Sequence, residues 1–168
     1  MNPSSSNLTH KRVLGVAIPI VLANATIPIL GAVDTGVVGQ MGLAAPIGAV
    51  GIGAIIISAI YWLFGFLRMG TTGLTAQAIG SNDHSETSAL LVRGIIIGIV
   101  AGLILILIQI PLFSAALGIA PASQEVEGLA NEYLKIRVFS APAAIAIFGI
   151  TGWLIANERT RAVLVLML

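Results

Sequence analysis

The sequence contains no cysteine, which excludes a disulfide framework, a thiolate metal site and a cysteine nucleophile. Charge is also scarce, because only 9% of the 168 residues are charged, whereas soluble domains carry roughly 25%. The net charge is +1, and no basic run with interleaved aromatic residues is present. We therefore expect no nucleic-acid partner.

Apolar residues make up 57% of the chain, and the mean hydropathy is +1.03. A soluble core of this size does not need so much apolar surface, but a protein that is solvated by lipid does. A helix needs about 20 apolar residues to cross a bilayer. Residues 36–67, 94–124 and 138–157 hold no charge at all, and residues 13–38 hold one. The pattern predicts an all-α, polytopic membrane protein with the lipid bilayer as its surroundings.

The breaks between these runs define the expected helices. They are predicted near residues 13–39, 44–79, 87–117 and 124–157, with a fifth that begins near Thr160 and is incomplete at residue 168. The second helix either ends near Leu67 or continues to Ile79 with a bend at Gly70 and Gly73. This gives about four complete transmembrane helices and the start of a fifth, and we expect the chain to stop inside that helix.

Orientation follows from the distribution of Lys and Arg, which favour the cytoplasmic side of a membrane. A cytoplasmic N-terminus puts six of the 8 basic residues inside and leaves only Lys135 and Arg137 outside. Residues 1–12 then form a cytoplasmic tail, and residues 13–168 form the membrane part. The first apolar run continues past a possible signal-peptide cleavage site at Ala23-Asn24-Ala25, so we expect an uncleaved first helix.

Asp34 is the one charged residue well inside an apolar run. Carboxylates within membranes are costly and commonly mark an ion path or a polar cavity. Asp34 can take up a proton, or it can bind a sodium ion together with carbonyl oxygens. The structural alternative is a carboxylate near the outer end of its helix that is solvated by headgroup water. It lies about four residues, or roughly 6 Å, from Val38.

Two prolines interrupt the same helix. Pro19 and Pro28 each remove a backbone donor, which leaves the carbonyls of Gly15 and Asn24 without their helical partners. Freed carbonyls and a kink suit an ion site or a bending helix, although a static kink is an equally good interpretation. Possible cavity or helix-bending residues are Pro19, Asn24, Pro28 and Thr35. Asn24, Pro28 and Thr35 share one stripe of an ideal helix, and Asp34 lies about 100° away from Thr35.

Gly94, Gly98 and Gly102 recur at every fourth position of the third helix. Small residues at this spacing let membrane helices approach closely, so we predict a helix-packing role. Neither histidine has a second ligand nearby in the sequence, and no histidine lies in a predicted span. We expect no metal site, no cofactor and no catalytic residues.

Three blocks of sequence resemble the MATE (multidrug and toxic compound extrusion) transporters, specifically the DinF-like branch. They are PILGAVDTGVVGQMG at 28–42, FLRMGTTGLTAQAIG at 66–80, and YLKIRVFSAPAAIAIFGITGWLIANERTR at 133–161. The resemblance implies a twelve-helix fold of two lobes, of which this chain supplies part of the N-lobe. The missing C-terminal helices of the same protein would then be its partners. In this family the first-helix carboxylate of the Val-Asp-Thr motif is implicated in cation coupling, which implies that role for Asp34. Pro19 is similar to the family's bending proline.

The resemblance further implies a secondary active transporter in the bacterial inner membrane. It would export drugs or other small organic, often cationic, compounds in exchange for protons or sodium. A lipid or oligosaccharide flippase of related architecture is one alternative. Another is a non-transporting membrane scaffold remnant that associates through Gly94, Gly98 and Gly102. Lys and Arg are absent from the middle of every span, which weighs against the flippase.

Overall fold

The computed structural model describes residues 10–40, 42–119 and 122–167, and these residues form helices joined by short connections, with no strand among them. The helices, in chain order, are α1 His10–Gly39, α2 Ala44–Trp62, α3 Gly65–Gly80, α4 His84–Leu107, α5 Gln109–Ile119, α6 Gln124–Arg137, α7 Ala141–Ala156 and α8 Thr160–Met167. A 3₁₀ turn, Val138–Ser140, joins α6 to α7. The predicted all-α fold is confirmed.

Three helical segments among the described residues are long and apolar enough to cross a membrane. They are Ala44–Gly80, which contains α2 and α3, His84–Leu107, which is α4, and Gln124–Ala156, which contains α6 and α7. The helix α1 has 30 residues and would be about 45 Å long at 1.5 Å per residue.

The second predicted helix is interrupted just before Gly65, at a position where no break was predicted. It breaks at Leu63 and Phe64, and then runs without interruption through Gly70 and Gly73 to Gly80. At the break the backbone hydrogen bonds join residues three apart instead of four. The Phe64 amide donates to the Tyr61 carbonyl, and the Leu67 amide donates to the Phe64 carbonyl. The interruption therefore lies about two helical turns before Gly70, and the bend expected at Gly70 and Gly73 stays a prediction.

Prolines account for the two other interruptions. Pro111 cannot donate to the carbonyl of Leu107, which is the last residue of α4, and α5 begins two residues later. Pro142 cannot donate to Val138, which is the first residue of the 3₁₀ turn. Each predicted span therefore continues through its proline as two shorter helices.

The connection between α3 and α4 is held by a side-chain cap. The Asp83 carboxylate accepts a hydrogen bond of 2.9 Å from the Glu86 amide, and Asn82 adopts a positive φ of 57° in the turn. This cap starts α4 at His84, three residues before the predicted position 87.

The helices pack around α7, which contacts α4 and α3 extensively, while α6 packs on α2. The core holds large side chains that are completely or almost completely buried. They are Phe113, Leu134, Val138 and Ile145. Helix α1 lies at the edge of this group, against α2 and α8.

Candidate functional site

Helix α1 carries all the residues that the sequence suggested for ion binding or helix bending. It is one continuous helix through both Pro19 and Pro28. Proline has no amide hydrogen, so neither ring nitrogen can donate to the carbonyl four residues earlier, at Gly15 or Asn24. These two carbonyls are open to another donor or to a cation.

The structure separates the α1 candidates onto two neighbouring faces. Ala23 is only 2% exposed, and Asp34 is partly buried. Asp34 follows Ala23 by 11 positions, or about three turns, so Ala23 and Asp34 share the face that packs on the rest of the chain. Asn24 and Thr35 are one position further along and are both exposed. Asp34 thus faces the bundle while Asn24 and Thr35 do not.

The Asp34 side chain is partly buried, and its carboxylate oxygens have no hydrogen-bond or ion-pair partner among the described residues. The neighbouring Thr35 hydroxyl is already used, because it donates to the Gly31 carbonyl at 2.9 Å within the same helix. The two carboxylate oxygens of Asp34 are therefore available to a proton or to a hard cation such as sodium, which prefers oxygen ligands.

Helix α1 has room around its backbone. A Cβ atom added at Gly15, Gly31, Gly36 or Gly39 would meet nothing within 4 Å. Ala23 is also the one α1 side chain that is buried among those the structure describes. A larger residue at these four positions would therefore meet no steric obstacle among the described residues.

Two of the α4 glycines that face α7 have no room for a side chain. A Cβ at Gly98 would lie 2.5 Å from the Cα of Ala146, and one at Gly102 would collide with the backbone of Pro142. A Cβ at Gly94 would lie 3.4 Å from the Cα of Gly149. The three glycines thus line an antiparallel contact in which the two backbones touch.

The sequence analysis missed the small residues on the α7 side. A Cβ at Gly149 would lie 3.0 Å from the backbone of Gly94, and one at Gly152 would lie 2.5 Å from the carbonyl oxygen of Arg68. The Thr72 hydroxyl also contacts the Gly152 carbonyl oxygen at 3.1 Å. The available signal was small residues at every third position, Ala146, Gly149 and Gly152, just as the four-residue spacing marked α4.

A cleft of ≈ 390 Å³ lies where α1 approaches the start of α8. Gly15 lines it, together with residues 158–162. Gly15, whose carbonyl lacks its helical donor because of Pro19, thus lies next to the polar turn before α8. No group of three or more His, Asp or Glu side chains able to hold a metal ion occurs in the part of the chain that the structure describes.

Comparison with known proteins matches residues 19–168 to the MatE family model. DNA damage-inducible protein F of Escherichia coli (strain K12) is 37% identical over 159 residues, which is 95% of this chain and 35% of that protein. Multidrug export protein MepA of Staphylococcus aureus (strain NCTC 8325 / PS 47) is 24% identical over 138 residues, 82% of this chain and 31% of that protein. Protein DETOXIFICATION 47, chloroplastic, of Arabidopsis thaliana is 26% identical over 117 residues, 68% of this chain and 21% of that protein.

The chain spans about a third of the length of the first two of these relatives, 35% and 31%. No solved structure matches it. The family match covers every described helix from the middle of α1 onward, including Asp34 and the glycines of α4. With its apolar helices, the chain is therefore a multi-pass membrane protein that belongs to the MATE family, in the DinF-like branch.

Proposed function

We propose that this protein exports drugs or other toxic organic compounds across the bacterial inner membrane, as a secondary active transporter that exchanges them for protons or sodium. The observation that carries the proposal is the MatE match over residues 19–168, together with a relative whose name is multidrug export protein. The substrate we expect is a small organic compound, commonly a cation.

Asp34 is the proposed coupling residue. It is partly buried on the inner face of α1 and has no bonding partner among the described side chains, so a cation can bind it without first breaking an ion pair. Binding neutralises the carboxylate, which lowers the cost of moving it into a less polar environment. Loss of the cation reverses that change, and the two states of Asp34 favour different positions of α1.

The contrast in packing supports α1 as the moving element. Its glycines have open space around them, whereas α4 and α7 are in backbone contact at Gly98 and Gly102. The close α4–α7 contact supplies a fixed body, and alternating access would move α1, which contacts α2 and α8 instead, against it.

The energetics of this scheme are modest. A cation or a substrate shifts the balance between two conformations only by the difference in its affinity for them. The membrane potential supplies about 2.3 kcal/mol for each charge that crosses 100 mV. One coupled cation therefore provides enough free energy for a roughly 50-fold concentration of a neutral substrate.

The structure weakens the scaffold alternative. That interpretation needs Gly94, Gly98 and Gly102 to form an interface with another chain, but all three are buried against α7 of the same chain. The surface that a scaffold would use is therefore already occupied. A lipid or oligosaccharide flippase of related architecture stays the alternative to drug export, and transport assays distinguish the two.

Export is tested with the protein from its complete gene, reconstituted in vesicles that contain a fluorescent cationic dye. An imposed proton or sodium gradient should drive dye across the membrane, and vesicles without protein give the background. Movement of a fluorescent lipid analogue without dye transport would support the flippase and contradict drug export.

The proposed orientation is tested with single cysteines, since the chain has none of its own. Ser85 lies in the first turn of α4 and Ser123 caps α6, and both are exposed. With a cytoplasmic N-terminus, Ser123→Cys should react with an impermeant maleimide in intact cells, and Ser85→Cys should react only after lysis. Labelling of Ser85→Cys but not Ser123→Cys in intact cells would reverse the orientation.

A further inference from the structure

A second feature of the bundle is an apolar cleft between α3 and α4. Its volume is ≈ 290 Å³, and it is lined by apolar side chains of both helices, among them Phe66, Leu67, Leu90 and Ile97. Phe66 is 63% exposed and Ile97 is 48% exposed, so the cleft opens to the outside of the described helices. Among the described residues, Arg93 is the one charged side chain that lines it.

The charge pattern places the cleft at the edge of the hydrocarbon layer. The uncharged run of the second span ends at Leu67, just before Arg68, and that of the third span begins at Gly94, just after Arg93. Contacts with α7 place the two ends at similar depth, because Gly149 meets Gly94 and Gly152 meets the Arg68 carbonyl one turn further on. Phe66 and Ile97 are on the apolar side of this boundary, and Arg93 is on it.

We propose that this cleft binds one anionic phospholipid, with an acyl chain against Phe66, Leu67 and Ile97 and the phosphate on the Arg93 guanidinium. The charges are complementary, since arginine donates to phosphate oxygens through a planar, two-pronged group. The walls fit an acyl chain, which is the apolar molecule that surrounds a transmembrane helix at this depth.

Glu86 competes with the lipid for Arg93. Its carboxylate pairs with Arg93 across two turns of α4, with an N–O distance of 2.5 Å, and both side chains are substantially exposed. The lipid phosphate therefore competes with Glu86 for the same guanidinium. Removing the Glu86 charge should strengthen lipid binding, whereas removing the Arg93 charge should weaken it.

The test is native mass spectrometry of the purified protein from its complete gene, with phosphatidylglycerol or phosphatidylcholine added at equal concentration. The wild type should retain one phosphatidylglycerol per chain in preference to phosphatidylcholine. Because one basic residue near a membrane surface is worth about 1 kcal/mol, Arg93→Gln should reduce that preference by about fivefold. Glu86→Gln should increase it, and Arg161→Gln, an exposed arginine on α8, should leave it unchanged.

Matched glycine variants test the cleft itself. Gly70 lines it and Gly73 does not, while both are exposed on α3 with nothing within 4 Å of an added Cβ. Gly70→Leu should fill the cleft and reduce retention of both lipids, and Gly73→Leu should retain them. Equal retention by the two leucine variants, or an unchanged preference in Arg93→Gln, would overturn the proposal. Absence of any bound lipid on the wild type, as expected if another segment of the protein covers the cleft, would overturn it too.

Discussion

Gly98→Ala is expected to destabilise the protein, although alanine is the better helix former. The added Cβ would lie 2.5 Å from the Cα of Ala146 and 2.6 Å from its nitrogen. Both are backbone atoms, so no side chain can rotate away and α4 must separate from α7. Forced overpacking of this kind costs about 1–3 kcal/mol. Helix propensity returns about 1 kcal/mol, which leaves a net loss of up to about 2 kcal/mol.

The measurement is the apparent Tm of the detergent-purified protein, read from the loss of monodisperse protein after heating. Gly51→Ala in α2 is the matched control, because a Cβ at that position would meet nothing within 4 Å. Gly98→Ala should lower Tm, and Gly51→Ala should leave it unchanged or raise it slightly. If the two variants melt together, the close α4–α7 contact does not contribute to stability.

The spans could be predicted from the sequence because charge is nearly absent from them. Uncharged runs such as residues 94–124 and 138–157 have few alternatives to a membrane, and turns such as Asn82-Asp83 carry standard capping residues. The breaks at Leu107 and Val138 were not predicted, although Pro111 and Pro142 supply a physical reason for them. The interruption at Leu63 and Phe64 was not predicted: Gly65 follows it, but a glycine alone does not fix a break, since α3 runs unbroken through Gly70 and Gly73.

The candidate site was less accessible to sequence reasoning. Asp34 is conspicuous as a charge in an apolar run, but its facing direction depends on how α1 packs. An ideal helical stripe groups Asn24 with Thr35, and the structure leaves both of them exposed while Asp34 turns toward the bundle. The residues that contact Gly98 and Gly102 could not be predicted either, because Ala146 and Pro142 are far from them in the chain.

Asp34→Asn is expected to abolish gradient-driven export while leaving expression and membrane insertion close to wild type. Asparagine preserves the shape and much of the hydrogen-bonding capacity of the side chain, but it cannot alternate between a charged and a neutral form. Since no described residue forms an ion pair with Asp34, the substitution leaves no partner charge unpaired. The effect should therefore fall on coupling, not on folding.

Two further variants separate coupling from general effects of charge. Asp34→Glu keeps the charge at a displaced position and should retain partial export. Glu125→Gln removes an exposed carboxylate in the first turn of α6 and should export like the wild type. If Asp34 is only a solvated residue near the helix end, Asp34→Asn and Glu125→Gln should behave alike.

The most direct measurement is dye efflux from vesicles that hold equal amounts of wild-type protein or the Asp34→Asn variant, with proton and sodium gradients imposed one at a time. The coupling role of Asp34 predicts efflux by the wild type under at least one gradient, which identifies the coupling ion, and background efflux by the variant under both. Wild-type efflux by Asp34→Asn under the same gradients would contradict it.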